Sequence, residues 1–341
     1  MNRPRVTSNL FDLLEPASGK LLVATPQPQW IAPMLATLTE KHFSADGWIF
    51  ERKLDGERCL AFCYGSAVRL LSRNELSLTT TYPEIVDALR VRDHDVVLDG
   101  EVVALANDET SFSRLQRRMG ISDTATARTS PIAVTYFIFD LLYLDGHDVR
   151  KIPLTQRKML LEKSVAFGGP LRFTTHRNRD GEKFLAEACT LGWEGLIAKR
   201  EDAPYVSRRS PDWLKFKCVG EQELVIGGFT DPQRSRVGLG ALLLGYYDGN
   251  RLLYAGKVGT GFDTATLLAL RTRLDALEQT SSPFAATPGL SARGVHWVHP
   301  RLVAQVGFSE WTTGGLLRHP RYLGLRDDKA AREVVRERPA S

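Results

Sequence analysis

The chain has no apolar run long enough to span a membrane, and its first residues lack the apolar core of a signal peptide. It is therefore expected in the cytoplasm. Its four cysteines form no C-x-x-C pair, so structural zinc is not expected. Cys59 and Cys63 share one face of a strand by period-2 counting and read as small buried apolar residues. Cys189 and Cys218 stand far from them. No internal repeat or low-complexity block is present, which excludes a repeat array.

What is present is an ordinary globular composition: 43% hydrophobic and 25% charged residues. A length of 341 residues favours two domains, each able to bury a core. The net charge of +5 suits a polyanionic partner and equally a mildly basic enzyme.

The chain is organised around Glu51-Arg52-Lys53-Leu54-Asp55-Gly56-Glu57-Arg58. Apolar runs of strand type flank it, Gly47–Phe50 before and Cys59–Tyr64 after. Two strands joined through Asp55-Gly56 read as a hairpin. Such a turn would gather a lysine, a carboxylate and an arginine. A lysine is a nucleophile only when deprotonated, and neighbouring cations or desolvation favour that state. The competing reading is a surface hairpin with solvated charges.

Residues 1–29 are rich in Pro, Ser and Thr and read as a loosely ordered leader with one amphipathic patch at Leu10–Leu14. Val68–Asn74 reads as a strand ending in a turn, and a helix is expected from Tyr82 to Leu89. In Asp95–Leu105, Glu101 lies within a strand pattern. Buried unpaired it would cost on the order of several kcal/mol, so it faces water or has a partner. Arg114, Arg117 and Arg118 lie on a short helical pattern, as a solvated face or a phosphate contact. Val134–Gly146 is a long aromatic strand; Phe139 is the candidate for base stacking, the other aromatics being core. Helices are expected over 153–165 and 180–191. Glu194 enters a strand from a glycine-flanked bend. In Asp212–Lys217 alternation puts Leu214 and Phe216 on the core face and Trp213, Lys215 and Lys217 on the other. Two lysines so placed suit a phosphate, or simply face solvent. After Gly220, short glycine-spaced strands and one helix over Thr264–Leu277 suggest a small barrel. Basic and aromatic residues mix near the C-terminus.

Taken together these segments resemble ATP-dependent DNA ligases of the covalent nucleotidyltransferase superfamily. Among them it resembles the ligase module of bacterial end-joining ligase D and its stand-alone relatives. Six motifs carry the resemblance in order: Lys53–Arg58, Ser72-Arg73-Asn74, Asp99-Gly100-Glu101, Phe139–Gly146, Glu194–Lys199 and Trp213–Lys217. Arg326-Asp327-Asp328-Lys329 looks like the family's R-x-D-K element.

The resemblance implies an α+β fold. Its nucleotidyltransferase domain, with ATP-grasp-like antiparallel sheets and helices, would span 30–218, and an OB-fold β-barrel would span 221–341 with a hinge near Val219-Gly220. It implies Lys53 as the nucleophile that takes AMP from ATP. Glu51 would sit near the adenine and Phe139 would stack on it. Arg58 and Arg73 would hold the nucleotide or the 5′-phosphate of a nick. Glu101 would contact ribose or metal, and Glu194 and Asp328 would help hold Mg²⁺ or Mn²⁺. Lys215 and Lys217 would contact the α-phosphate, and Arg326, Asp328 and Lys329 would close over ATP. Lys199 is placed outside the site, because five residues along a regular strand aim it away from Glu194. Glu57 is expected to point outward. The partners implied are nicked or broken duplex DNA and a Ku-like end-binding protein, with the chain a monomer near the bacterial nucleoid. Two other readings remain open from the sequence: an RNA ligase or GTP-using capping enzyme, and a non-catalytic nucleic-acid-binding module.

Overall fold

Strand Glu57–Tyr64 is apolar almost throughout, and its alternate residues enter two different cores. Cys59, Ala61 and Cys63 join one; Leu60 and Phe62 join another. A strand buried on both faces has to lie inside a layered domain. In the computed structural model, which describes residues 9–106, 109–218, 220–232, 236–290 and 293–337, that domain is the first of two compact units. The first runs through Cys218.

Among the described residues the larger sheet of the first unit has the order Val23–Ala24, His147–Asp148, Val134–Leu144, Val96–Ala106, Glu57–Tyr64, Ala67–Ser72. One face is covered by helices Pro83–Arg90, Phe112–Met119 and Leu154–Ser164, through Ile85, Leu89, Leu115, Leu160 and Leu161. The opposite face meets a smaller sheet through Leu60, Phe62, Phe139, Tyr205 and Trp213. The smaller sheet has the order His176–Asn178, Trp48–Arg52, Gly195–Arg200, Arg209–Lys217, Leu35–Leu38. Helix Gly181–Thr190 covers its far side with Phe184, Leu185 and Ala188 against Phe50, Leu196 and Phe216. Each such buried side chain contributes roughly 1.5–3 kcal/mol of transfer free energy. The layers are thus helices, sheet, sheet, helix, with two sheet faces opposed.

The expected hairpin at Asp55-Gly56 does not form. Trp48–Arg52 belongs to the smaller sheet and Glu57–Tyr64 to the larger, so Lys53–Gly56 crosses between them. Gly56 is required by close approach: a Cβ there would lie 2.2 Å from the Val102 carbonyl oxygen. Glu57 also departs from expectation. It is buried, and its carboxylate accepts a 2.5 Å hydrogen bond from the Tyr82 hydroxyl. That partner offsets the cost of turning Glu57 inward. Arg118 is likewise no solvated helix residue; it is fully buried and donates to both oxygens of Glu84 at 3.0 Å.

The leader differs as well. Residues 10–13 form a 3-10 turn whose Leu10 and Phe11 pack on the first core, and Leu14 is buried in it. Val23–Ala24 pairs with His147–Asp148. The amphipathic patch is enough to dock this segment once an apolar sheet face lies beside it; residues 1–8 lie outside the described residues.

Cys189 and Cys218, 29 residues apart, form a disulfide with Cα atoms 5.3 Å apart. It joins the end of helix Gly181–Thr190 to the residue after Lys217. Cys59 and Cys63 are free and buried.

In the second unit Gly220–Thr230 is the spine. One half pairs with Val303–Phe308, the other with Val295–Val298, and Leu242–Asp248 lies along its other edge. The register shifts between Ile226 and Gly228, and the strand bends there. Arg251–Val258 and Arg321–Leu325 extend the sheet. Helix Thr264–Asp275, capped by Asp263 on the Thr266 amide, seats Leu267, Leu270 and Leu274 in the core. Among the described residues no helix is long and apolar enough to cross a membrane.

Candidate active site

Three neighbouring strands of the smaller sheet place their odd-numbered residues on the face opposed to the larger sheet. Ile197 lies opposite Glu51 on one side and opposite Lys215 on the other; Lys199 lies opposite Trp213, and Gly195 opposite Lys217. Period-2 geometry therefore puts Glu51, Ile197, Lys199, Trp213, Lys215 and Lys217 on one face. Lys53 follows at the strand end, its amide donating to the Gly195 carbonyl at 2.9 Å.

Glu194 forms an ion pair with the Lys53 ammonium. It can do so because it precedes the strand and escapes its alternation. The turn depends on Gly195, at φ +147, where a Cβ would lie 1.9 Å from the Phe216 carbonyl oxygen. Lys199, on the regular strand beyond, also reaches this face. Its ammonium lies 2.6 Å from Glu51 Oε2, 4.3 Å from the Phe139 ring centre and 4.1 Å from that of Trp213. Excluding Lys199 by alternation from Glu194 fails because the count began outside the strand.

Glu51 is buried between two lysines. Lys158 Nζ lies 2.6 Å from Oε1 and also donates to the Thr174 carbonyl at 2.9 Å. Burial raises the Glu51 carboxyl, but Lys158 and Lys199 together outweigh it and hold the group below its ordinary range. Burial, reinforced by nearby Lys158 and opposed by Glu51, lowers the pKa of Lys199.

Phe139 comes from the larger sheet. Asp99 pairs with Asp140 and Gly100 with Ile138, so Phe139 is the extra residue of a β-bulge. Val134, Tyr136 and Ile138 face the helices, so alternation puts the Phe139 ring in the space between the sheets, where the Arg58 guanidinium lies 4.7 Å from its centre; the bulge then lets Leu141 return to the helix side. Arg58 is held by a bidentate pair to the fully buried Asp99, at 2.5 and 2.6 Å, and by the Met34 carbonyl at 3.2 Å. Burial works against the Arg58 charge, but Asp99 more than offsets it. Tyr205 donates to Asp99 at 2.6 Å and accepts from the Met34 amide. Glu101 lies opposite Arg58 across the sheet. Arg73 follows Ser72, which pairs with Cys59 beside Arg58.

Lys53, Glu194, Glu51, Lys215, Lys217, Phe139, Arg58 and Glu101 thus belong to the two opposed sheets of one unit, with Arg73 at the end of a strand of the larger one. Arg326, Asp328 and Lys329 belong to the second unit. There Arg326 forks onto Asp328 at 2.9 and 2.8 Å, and Lys329 lies 3.4 Å from Glu223. The oxygen donors Glu101 and Glu194 suit Mg²⁺, which takes one or two protein carboxylates and completes its shell with water and phosphate. Among the described residues no three His, Cys, Asp or Glu side chains are grouped to hold a metal by themselves. Lys158 carried no signal in the sequence beyond its place on an expected helix.

Residues 33–217 match the family model described as ATP dependent DNA ligase domain, and residues 235–329 match ATP dependent DNA ligase C terminal region. The chain is 42% identical over 329 residues to a multifunctional non-homologous end joining protein LigD of Pseudomonas aeruginosa, covering 94% of this chain and 38% of that protein. It is 41% identical over 313 residues to the corresponding Mycobacterium tuberculosis protein, covering 90% and 40%. A probable DNA ligase of Dictyoglomus thermophilum is 30% identical over 314 residues, covering 82% and 53%. The chain spans about two-fifths of the length of the two LigD relatives. A solved structure of mycobacterial DNA ligase D complexed with ATP and MES superposes with a TM-score of 0.65 at 38% identity, covering 90% of this chain and 98% of that one.

Proposed function

The chain belongs to the ATP-dependent DNA ligases, and from that premise we propose that Lys53 carries AMP between ATP and a DNA 5′-phosphate. The observation that supports this most directly is the place of Lys53 at the end of the sheet face that also bears Lys215 and Lys217, cations that favour its free amine. A divalent ion taken by Glu194 would release the ion pair that opposes it.

In the first step the deprotonated Lys53 amine attacks the α-phosphorus. A P–N bond forms, the nitrogen releases a proton to solvent, the bond to the β-phosphate oxygen breaks, and pyrophosphate leaves. In the second, a 5′-phosphate oxygen attacks the adenylyl phosphorus and Lys53 departs, taking up a proton. In the third, a 3′-hydroxyl attacks the 5′-phosphate, loses its proton and expels AMP. Each step builds charge on phosphoryl oxygens, which fixed cations stabilise without reorganising. Lys215 and Lys217 supply those cations beside Lys53. Phe139 offers a face to the base, and Glu51 offers a hydrogen-bond acceptor to its edge. Arg58, held by Asp99, and Arg73 serve the nucleotide or the 5′-phosphate. Glu101 and Glu194 would hold a divalent ion, which would neutralise phosphate charge. For Arg326, Asp328 and Lys329 of the second unit we propose a role in the first step, which the family resemblance implies.

The substrate we propose is nicked or broken duplex DNA, with double-strand ends suggested by the end-joining names of the LigD relatives and a Ku-like partner by the family resemblance. The chain acts as a monomer beside the bacterial nucleoid.

The test is to mix purified protein with Mg²⁺ and α-labelled ATP or GTP and resolve it on a denaturing gel. Label from ATP that disappears in Lys53→Ala, followed by sealing of nicked DNA, is the expected result. Label from GTP alone would move the reading to a capping enzyme. No label in folded protein free of bound AMP would favour a binding module.

A further inference from the structure

The ammonium of Lys158 is buried against Glu51 Oε1 at 2.6 Å, the Thr174 carbonyl at 2.9 Å and the Phe173 ring, 4.7 Å from its centre. From this geometry we infer that Lys158 is a positioning residue that sets the base selectivity of the enzyme by fixing the Glu51 carboxylate. The inference rests on the reading that the base sits between Phe139 and Glu51.

The helix that carries Lys158 is itself pinned. The neighbouring Arg157 forks onto Asp140 at 2.7 and 2.9 Å and donates to the carbonyls of Ile152 and Ala203. Asp140 directly follows Phe139, so one anchor ties the Lys158 helix to the strand that presents the stacking ring. Lys158 therefore approaches Glu51 from a direction fixed relative to that ring. Lys199 takes the other carboxylate oxygen from the neighbouring strand.

The chemistry turns on what a carboxylate can do. Ionised, it only accepts hydrogen bonds, so it pairs with an exocyclic amine and repels a carbonyl oxygen at the same place. Adenine presents the amine and guanine the carbonyl. Protonated, the same group would donate and admit guanine. Keeping Glu51 ionised and still is thus a selectivity function, and Lys158 performs it through its bond to the carboxylate. The charged and titratable groups around Glu51 are Lys158, Lys199, His176 on the adjoining strand, and, further off, Asp140 and Glu162. Of these only Lys158 and Lys199 bond the carboxylate.

Removing Lys158 leaves the balanced pair Glu51–Lys199, so Lys158→Met is expected to fold. Lys158→Gln, a neutral donor, is the second variant, and Lys158→Arg the conservative one. Lys53 labelling with ATP and with GTP would be measured across roughly pH 5.5 to 8.5. Loss of one cation raises the pKa of the Glu51 carboxyl, and below that raised value its ionised fraction falls about tenfold with each further drop of one in pH. The expected result is an ATP-over-GTP preference reduced by about tenfold or more in Lys158→Met and Lys158→Gln, most strongly at the acid end. Lys158→Arg should restore it. In a Glu51→Gln background, Lys158→Met should change the preference no further. An unchanged preference and pH profile in folded Lys158→Met or Lys158→Gln would overturn the inference while leaving the ligase reading intact. Failure of the unaltered protein to label would instead sink that reading.

Discussion

Lys199 and Glu51 form a buried ion pair 2.6 Å long on the active face of the smaller sheet, from strands whose register sets them diagonally across from one another. The ammonium also faces the rings of Phe139 and Trp213. It therefore lies between the two sheets, where the proposed base site is, rather than on the strand's outer face. Lys199→Met should lower kcat/KM for adenylylation by ATP by about tenfold or more, about 1.4 kcal/mol of transition-state stabilisation. Wild-type kinetics in the variant would reduce Lys199 to a strut.

Asp99 is fully buried and relies on the Arg58 fork and the Tyr205 hydroxyl. Arg58→Met would leave a buried carboxylate without its cation, a loss of about 3–5 kcal/mol. Urea unfolding should show it as a lower midpoint, and a midpoint within experimental error of the unaltered protein would contradict the role given to the pair.

The Glu51 carboxyl is held below its ordinary value of 4.5, which makes stability depend on acid. Its contribution is fully present above that value and is lost as pH falls through the lower folded one. The Tm of the unaltered protein should fall on acidification below about 4.5, and Glu51→Gln should show a shallower fall. Parallel acid limbs for the two proteins would mean that Glu51 is not the group responsible.

The Cys189–Cys218 bridge closes a loop that contains Glu194, Lys199, Lys215 and Lys217. By chain entropy such a bridge contributes about 3–4 kcal/mol. Reduction should lower the Tm of the unaltered protein and leave that of Cys189→Ser unmoved; equal sensitivity in both would show that the bridge does not form in solution.

Much of this site could be read along the chain because alternation is a local rule. Trp213, Lys215 and Lys217 were separable from Leu214 and Phe216 by counting alone, and all five lie as counted. The helices around Ile85, Leu160 and Phe184 followed from apolar spacing in the same way. Counting went wrong where its premise of one regular strand did. Glu194 stands before the strand on a glycine turn, so its phase says nothing about Lys199. Asp55-Gly56 has the residues of a tight turn, but its glycine serves a close approach to Val102.

By itself the sequence determined which residues could alternate, which segments were apolar enough to be buried, and which motifs in which order mark a nucleotidyl transfer. Tertiary structure alone decided that Lys53 lies between two sheets, that Asp99 holds Arg58 against the Phe139 ring, and that Lys158 meets Glu51 across 107 residues of chain. The reason is physical. Periodicity is set by the geometry of one strand or one helix, whereas the partner of a buried charge is set by which surfaces pack together, and that depends on the whole fold.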